Sequence, residues 1–292
     1  MHPAPSVILF TSLSGVGFGL LFFLGLGMPA STGLNAFIFY AIGYVFAVGG
    51  LLFSTFHLGH PERALKAFTQ WRSSWLSREA WLAVLALCVT GIGACAQIFF
   101  ETPITVVSYA GAALCLLTVF STAMIYRQLA TVPRWHTPMT PVLFLTYAIA
   151  GGALLSGQID IAQPVLGLLG ALQIFAWIQG DGAFARSGST LNTATGLGDT
   201  GSVRAFEPPH TGTNYLLQEF VYVVGRKHAA KLRLIAIILL SGLPIVLLVL
   251  PFNHMFAALA VLTHVAGVLV SRWLFFAQAE HVVGLYYGKR SA

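Results

Sequence analysis

The sequence predicts an all-α, polytopic membrane protein with eight transmembrane helices. Of the 292 residues, 57% are hydrophobic and only 8% are charged, and the mean hydropathy is +0.81. Soluble domains carry roughly 25% charged residues, so this chain has too few polar side chains to cover a surface in water. The composition therefore excludes an ordinary soluble enzyme, a disordered tail and a disulfide scaffold.

Eight stretches are long and apolar enough to cross a bilayer, which takes about 20 mostly apolar residues. They cover approximately 6–28, 34–56, 79–100, 104–126, 138–157, 161–180, 232–251 and 254–278. The first stretch lacks the basic residues that open a signal peptide and is long enough to span, so it is predicted to be the first helix. Residues 1–292 are thus predicted to form a single integral membrane domain.

The links between these stretches predict the orientation in the membrane. Those at 29–33, 101–103, 158–160 and 252–253 are short, whereas those at 57–78, 127–137 and 181–231 are long and polar. With eight spans, the long links and both termini lie on one side. All Lys and Arg residues except Arg272 lie on that side, so the positive-inside rule predicts that the N- and C-termini are cytoplasmic.

The longest link, 181–231, divides into two parts. The first is rich in Gly, Ser and Thr and predicts irregular chain. The second predicts an interfacial helix near 214–231, capped by Thr213 or Asn214, whose side chains accept bonds from free N–H groups. An apolar face and a basic end suit either a helix lying on anionic lipid or a docking surface for a cytoplasmic partner.

The 57–79 segment has the densest chemistry of the loops. Pro61 disfavours helical geometry just before it, so the second span is predicted to end near His57. Ser77 is predicted to cap the third span, with Glu79 in its first turn. The position of His57 suits either an interfacial side chain bonded to a backbone carbonyl or a proton donor to a lipophilic ligand, since the histidine pKa is near 6.5.

The other charged and aromatic residues of this segment have a simpler interpretation. Arg63, Arg72 and Arg78 are individually typical of topological anchors, and Trp71 and Trp75 are typical of an aromatic belt at the membrane surface.

Ionisable residues within the last span are the second functional signal, because charges at such depth are costly. They are His264 and Arg272, followed by Glu280 and His281 near the end of the span. Arg272 and Glu280 are predicted to share a helix face, and a structural pairing of Arg272 with a carboxylate or carbonyls is one interpretation. Haem b is not favoured, although His57 and His281 lie at similar depth. Cys88, Cys95 and Cys115 lack metal-ligand spacing, so no metal site is predicted.

Several short motifs, spread over the whole chain and kept in order, resemble those of one family. They are His57-Leu58-Gly59 with Pro61, Arg63 and Ala64; Leu76-Ser77 with Glu79; Thr131-Val132-Pro133 with Trp135 and Thr140-Pro141; and Arg272 with Phe275 and Gly284. The family is that of the membrane anchor subunits of dimethyl sulfoxide reductase type. The resemblance implies an eight-helix anchor that binds a molybdopterin catalytic subunit and an iron–sulfur electron-transfer subunit, and exchanges electrons with quinone.

The resemblance also implies a site. The histidine that begins the first motif is implicated in quinol binding near the last iron–sulfur cluster, and that role carries over to His57. We expect the quinone pocket and its surroundings to include His57, Gly59, Pro61, Arg63, Trp71, Arg78 and Arg272. In this interpretation His57 relays a proton, the cations stabilise negative charge that develops on the quinone, and Trp71 or Trp75 flanks its ring.

The predicted orientation selects a subgroup. The reductase members carry their catalytic subunits on the periplasmic side, whereas here the docking loops are predicted to be cytoplasmic. This arrangement resembles the anchors of sulfite-oxidising complexes, which implies electron transfer from sulfite to ubiquinone or menaquinone in a bacterial inner membrane. The glycine-rich 187–213 segment departs from the reductase members. Three alternatives remain: the anchor of another molybdoenzyme, a small-anion transporter, and a purely structural anchor.

Overall fold

The computed structural model describes residues 1–56, 60–198, 201–204, 206–207, 212, 214–221 and 228–287. His57 and Gly59, which carry much of the predicted site, lie outside the described residues. Within those ranges all regular secondary structure is helical.

Eight apolar helices form most of the part of the chain that the structure describes. They are α1 (Pro5–Gly25), α2 (Gly33–Phe53), α3 (Trp75–Phe99), α4 (Thr105–Arg127), α5 (Met139–Leu155), α6 (Ile159–Asp181), α7 (Ala229–Val249) and α8 (His254–Ala277). Seven of them are long and apolar enough to cross a membrane, and α5 is an apolar helix of 17 residues. At 1.5 Å per residue, α5 is about 26 Å long, near the lower limit for a span. The predicted stretches therefore match the helices to within a few residues.

The helix α1 lies at the centre, packed directly against the backbones of its neighbours. A Cβ atom at Gly17 would overlap the backbone of Ala47 on α2. A Cβ at Gly19 would overlap the carbonyl group of Ala148 on α5, one turn from Gly152, which itself contacts Gly19. Small residues let membrane helices approach closely, because lipid offers no hydrophobic driving force for their association.

The end of α2 and the start of α3 differ from the predicted residues. The helix α2 ends at Phe53 rather than near His57: the backbone N–H groups of Ser54 and Thr55 bond to carbonyls three residues back, at 3.0 Å each, instead of four. The prediction that Ser77 caps α3 is wrong. The cap is Ser74, whose hydroxyl accepts the Ser77 N–H at 3.5 Å.

A π-helical turn at Ile238–Gly242 interrupts α7 beside α8. Such a turn leaves backbone carbonyls free, and His264 Nδ1 hydrogen-bonds to the Leu240 carbonyl at 2.7 Å. The Ser241 hydroxyl donates to the Leu166 carbonyl at 2.6 Å and so binds α7 to α6. The buried His264 therefore has a structural partner.

The end of the bundle that carries the N-terminus, the end of α8 and the described parts of the long links is called the loop side below. There the Met1 amino group donates to the Ala279 carbonyl at 2.7 Å, and the His2 N–H donates to the Glu219 carbonyl at 2.7 Å. Of the predicted interfacial helix near 214–231, the structure describes a helix at Tyr215–Phe220, capped by Asn214, whose side chain accepts the Leu217 N–H at 2.9 Å. Val221 is not helical, and residues 222–227 lie outside the described residues.

Candidate functional site

An open groove of about 690 Å³ lies at the loop side, between the chain that follows α2 and the helices α3 and α4. We call it the tryptophan groove. Its lining residues are Phe68, Trp71, Trp75, Arg78, Trp81, Leu82, Leu117, Phe120 and Ser121. Most of this lining is aromatic or aliphatic, with one cation, which is the composition typical of sites for small lipophilic ligands.

The aromatic walls of the groove are held by specific contacts. Trp81 Nε1 donates to the Phe68 carbonyl at 3.0 Å, and the two rings pack edge to face with centroids 5.3 Å apart. Trp75 packs edge to face on Phe120 of α4 at 6.0 Å. The short 3₁₀ helix Pro61–Phe68 therefore joins the start of α3 through Trp81.

Arg78 organises the turn that precedes α3. Its Nε donates to the Trp71 carbonyl at 3.0 Å and its Nη2 to the Arg72 carbonyl at 2.7 Å. The guanidinium also lies 4.4 Å from the centre of the Trp75 ring, within cation–π distance. The groove thus combines flat aromatic surfaces with a fixed positive charge, an arrangement that can hold a planar ring bearing oxygen acceptors.

Of the residues predicted for the quinone pocket, the structure brings Trp71 and Arg78 together in the tryptophan groove. Pro61 begins the 3₁₀ helix of the same segment. Arg63 lies outside the groove, with its side chain exposed and 3.9 Å from Glu62.

Phe68 and Trp81 line the groove, although the sequence did not predict them as site residues. A signal for part of the groove was present, because Trp75, Arg78 and Leu82 have helical spacing and lie on one face of α3.

A buried carboxyl group lies behind the groove. Glu79 follows Arg78 on α3, is 4% exposed, and accepts a hydrogen bond from the Thr122 hydroxyl of α4. Because α3 begins at Trp75, Glu79 lies in the second turn rather than the first, and it faces the interior. Sequence reasoning assigned Glu79 only to the helix end and missed this inward position.

Arg272 lies in a separate chamber of about 50 Å³ between α5, α6 and α8. We call it the arginine chamber; it is lined by Phe144, Tyr147, Gln173, Ser271, Arg272 and Gln278, among others, and shares no lining residue with the tryptophan groove. The Arg272 guanidinium carbon lies 3.6 Å from the centre of the Phe144 ring and 4.6 Å from that of Tyr147.

The expected pairing of Arg272 with a carboxylate or carbonyls is not what the described residues show. The helix α8 ends at Ala277, so Glu280 lies beyond it and the predicted common face does not exist. No described residue accepts a hydrogen bond from Arg272, and its Nε is buried without a partner. Aromatic rings surround the cation instead.

The described residues contain no group of three or more His, Cys, Asp or Glu side chains placed to hold a metal ion. His281 packs on the ring of Phe220, with centroids 4.7 Å apart, and its Nδ1 accepts the Val283 N–H at 3.0 Å. The haem alternative involved His57, which lies outside the described residues.

The apolar helical bundle is that of a multi-pass membrane protein, and comparison with known proteins identifies its family. The family model described as DMSO reductase anchor subunit (DmsC) matches residues 1–288, and the chain therefore belongs to this family of membrane anchors. Within it, the chain is 31% identical to the C subunit of sulfite dehydrogenase from Allochromatium vinosum over 326 aligned positions, covering 98% of this chain and 99% of that protein. No solved structure matches the chain. The resemblance inferred from the motifs is confirmed.

Proposed function

We propose that this chain is the quinone-reactive membrane anchor of a molybdopterin and iron–sulfur oxidoreductase, and that it passes electrons from sulfite oxidation in partner subunits to membrane quinone. The observation that carries the proposal is the similarity along the full length to the C subunit of a sulfite dehydrogenase. The tryptophan groove supports it, because an open, aromatic groove at the loop side suits a lipophilic ring that receives electrons from a docked partner.

In this proposal the quinone ring lies in the tryptophan groove. Trp71 and Trp75 flank the ring, and the fixed guanidinium of Arg78 attracts its carbonyl oxygens. His57, just before the groove-forming segment, hydrogen-bonds one carbonyl and supplies a proton. Gly59, which follows His57 in the sequence, and Pro61, which begins the 3₁₀ helix, belong to the surroundings of the pocket, and Arg63 adds positive charge beside it.

The partners dock at the loop side, where the N-terminus contacts the chain that follows α8 and the segment at Glu219. A molybdopterin catalytic subunit supplies the oxidation of sulfite, and an iron–sulfur subunit supplies the electrons at this surface. We propose that this side is the cytoplasmic side of a bacterial inner membrane and that α5 completes eight spans. Haem b is not required for this route.

The test is a His57→Ala variant of the tagged chain, purified with its partners in mild detergent. We expect molybdenum and iron to co-purify as in the wild type and dye-linked sulfite oxidation to persist, while sulfite-dependent quinone reduction falls at least tenfold. His60→Ala is the matched control, because His60 is exposed and pairs with Glu62 at 2.9 Å. Equal loss of dye-linked and quinone-linked activity contradicts the role of His57.

The same purification separates the alternatives. If molybdenum and iron co-purify but sulfite is not oxidised, the chain is still an anchor of this family and sulfite is not the substrate of its partner. A metal-free chain from cells that express the partner genes, together with anion flux in vesicles, favours a transporter. Full quinone reduction after substitution of both His57 and Arg78 favours a purely structural anchor.

A further inference from the structure

The arginine chamber holds a buried positive charge to which the described residues offer no direct counter-charge. Arg272 is 3% exposed, and a guanidinium remains protonated in proteins. Cation–π contacts with Phe144 and Tyr147 stabilise it in part. Buried charges are nevertheless normally paired, because burial removes their hydration. A negative charge from outside the chain would complete the chamber.

The side-chain amide of Gln173 is a second hydrogen-bond donor in the chamber that needs an acceptor. The Tyr147 hydroxyl donates to Gln173 Oε1 at 2.7 Å, and the Ser271 hydroxyl, which lies 3.2 Å from the same oxygen, hydrogen-bonds to the Tyr147 hydroxyl at 2.5 Å. This arrangement orients the amide so that its oxygen is occupied and its NH₂ group remains for another acceptor. No described residue accepts from that NH₂ group, and Gln173 lines the chamber together with Arg272. The Arg272 guanidinium and the Gln173 NH₂ group therefore both lack an acceptor among the described residues.

The entrance of the chamber adds two further cations. Arg134, which lines the chamber, donates from Nη2 to Asp181 Oδ1 at 2.8 Å, and Arg233 Nη1 donates to Asp181 Oδ2 at 2.7 Å. Glu280 also attracts Arg134. Among the described residues, the chamber and its entrance therefore contain three guanidinium groups, including Arg272, and two carboxylates. A net positive charge raises the local concentration of anions from the loop-side water.

We propose that the arginine chamber is a binding site for a small inorganic anion, such as chloride or sulfate, that enters from the loop side. The volume of about 50 Å³ is several times what one water molecule needs, and it is far below the roughly 300 Å³ at which drug-sized pockets begin. A neutral quinone would not supply the missing charge. The proposal does not depend on the assignment of the quinone groove or of the substrate.

The test measures anion binding to the full-length chain in detergent, with gluconate keeping the ionic strength constant. We expect sodium chloride or sodium sulfate to raise the melting temperature saturably, because a ligand that binds only the folded state stabilises it. Equilibrium binding of radiolabelled sulfate, with chloride as competitor, gives the affinity directly.

Gln173→Glu is the decisive variant, because it places a carboxylate in the chamber beside Arg272. We expect it to fold, to melt higher than the wild type in gluconate, and to bind sulfate at least tenfold more weakly. Arg272→Gln removes the charge itself and should also lose the response. Arg127→Gln is the matched control: Arg127 lies at the loop-side end of α4 and does not line the chamber, so its response should equal that of the wild type.

Three results would overturn the proposal. One is a wild-type protein whose melting temperature and sulfate binding do not respond to either anion. Another is a Gln173→Glu protein that binds sulfate with wild-type affinity. The third is stabilisation by a short-chain quinone, but not by either anion, that Arg272→Gln abolishes, which would make the chamber a quinone site.

Discussion

Arg78 is the residue that joins the architecture of the tryptophan groove to its proposed chemistry. The same guanidinium binds the backbone carbonyls of the preceding turn and lies over the Trp75 ring. Its charge is therefore held in place before any ligand arrives. Preorganised charge stabilises a developing anion without a cost of reorganisation.

We predict that Arg78→Gln raises the KM for quinone about tenfold, since about 1.4 kcal/mol corresponds to a factor of ten in binding. Dye-linked activity should be unchanged, because partner docking does not need this charge. Steady-state kinetics of the complex with a soluble quinone tests this. Lys66→Gln is the control, as Lys66 is an exposed cation of the same segment outside the groove. An equal rise in KM for both variants would indicate a general effect of loop charge.

His281 is a second residue with a measurable consequence. Burial, and then the positive charge of the N-terminal amino group, lower the pKa of His281 below its ordinary value. The unfolded chain, with a histidine pKa near 6.5, therefore takes up a proton that the folded chain resists as the pH falls. We predict that thermal stability decreases as the pH falls below about 6.5.

The change His281→Asn should reduce this slope in melting temperature between pH 7 and pH 5, while the asparagine oxygen can still accept the Val283 N–H. The same change at His254, at the opposite end of α8, is the control. An unchanged slope in His281→Asn would rule out this histidine as the cause.

At the scale of helices, the small-residue face of α1 determines how the bundle packs. We predict that Gly19→Val prevents α1 and α5 from packing, because the new side chain would meet the Ala148 carbonyl and the backbone of Gly152. Overpacking typically costs 1–3 kcal/mol, and rigid backbone on the other side leaves little room for relief. The expected result is loss of folded protein on size-exclusion chromatography in detergent.

Gly15→Val is the matched control for this prediction. It lies on the same helix, and a Cβ atom there would meet no other atom within 4 Å. Equal loss of folded protein in both variants would mean that valine disturbs α1 through its insertion rather than through packing.

The helices also show where sequence reasoning was accurate and where it was not. Positions of the apolar stretches matched the helices because hydropathy is a property of a local segment. The start of α3 was misplaced because Ser74 and Ser77 are equally good caps by residue type. Only the packing of the preceding turn decides between them: Ser77 accepts the Gln70 N–H at 3.2 Å, which leaves Ser74 as the cap.

For the molecule as a whole, the asymmetry of charge predicts its orientation. We predict that green fluorescent protein fused to the C-terminus is fluorescent and that alkaline phosphatase fused there is inactive, as expected for a cytoplasmic end. Alkaline phosphatase fused after a truncation in the 252–253 link should be active, because that link is on the opposite side in the eight-span arrangement. The reverse pattern would invert the orientation and place the partners outside.

The two candidate sites occupy different parts of the molecule. The tryptophan groove belongs to α3, α4 and the segment before them, whereas the arginine chamber belongs to α5, α6 and α8. The pocket predicted from the sequence includes both Arg78 and Arg272, yet the structure places them in different cavities. Depth in the membrane can be estimated from the sequence, but lateral position cannot.

The amino-acid sequence was sufficient to establish a helical membrane anchor, its apolar segments and the family to which the chain belongs. Apolar segment length and ordered motifs need no knowledge of contacts. Which side chains meet became known only from the three-dimensional arrangement: Trp81 with Phe68, Glu79 with Thr122, and Arg272 with the ring of Phe144. These helices are apolar on nearly all faces, so hydropathy does not mark the face that packs. Close contacts between small residues select that face, and they form only when the helices assemble.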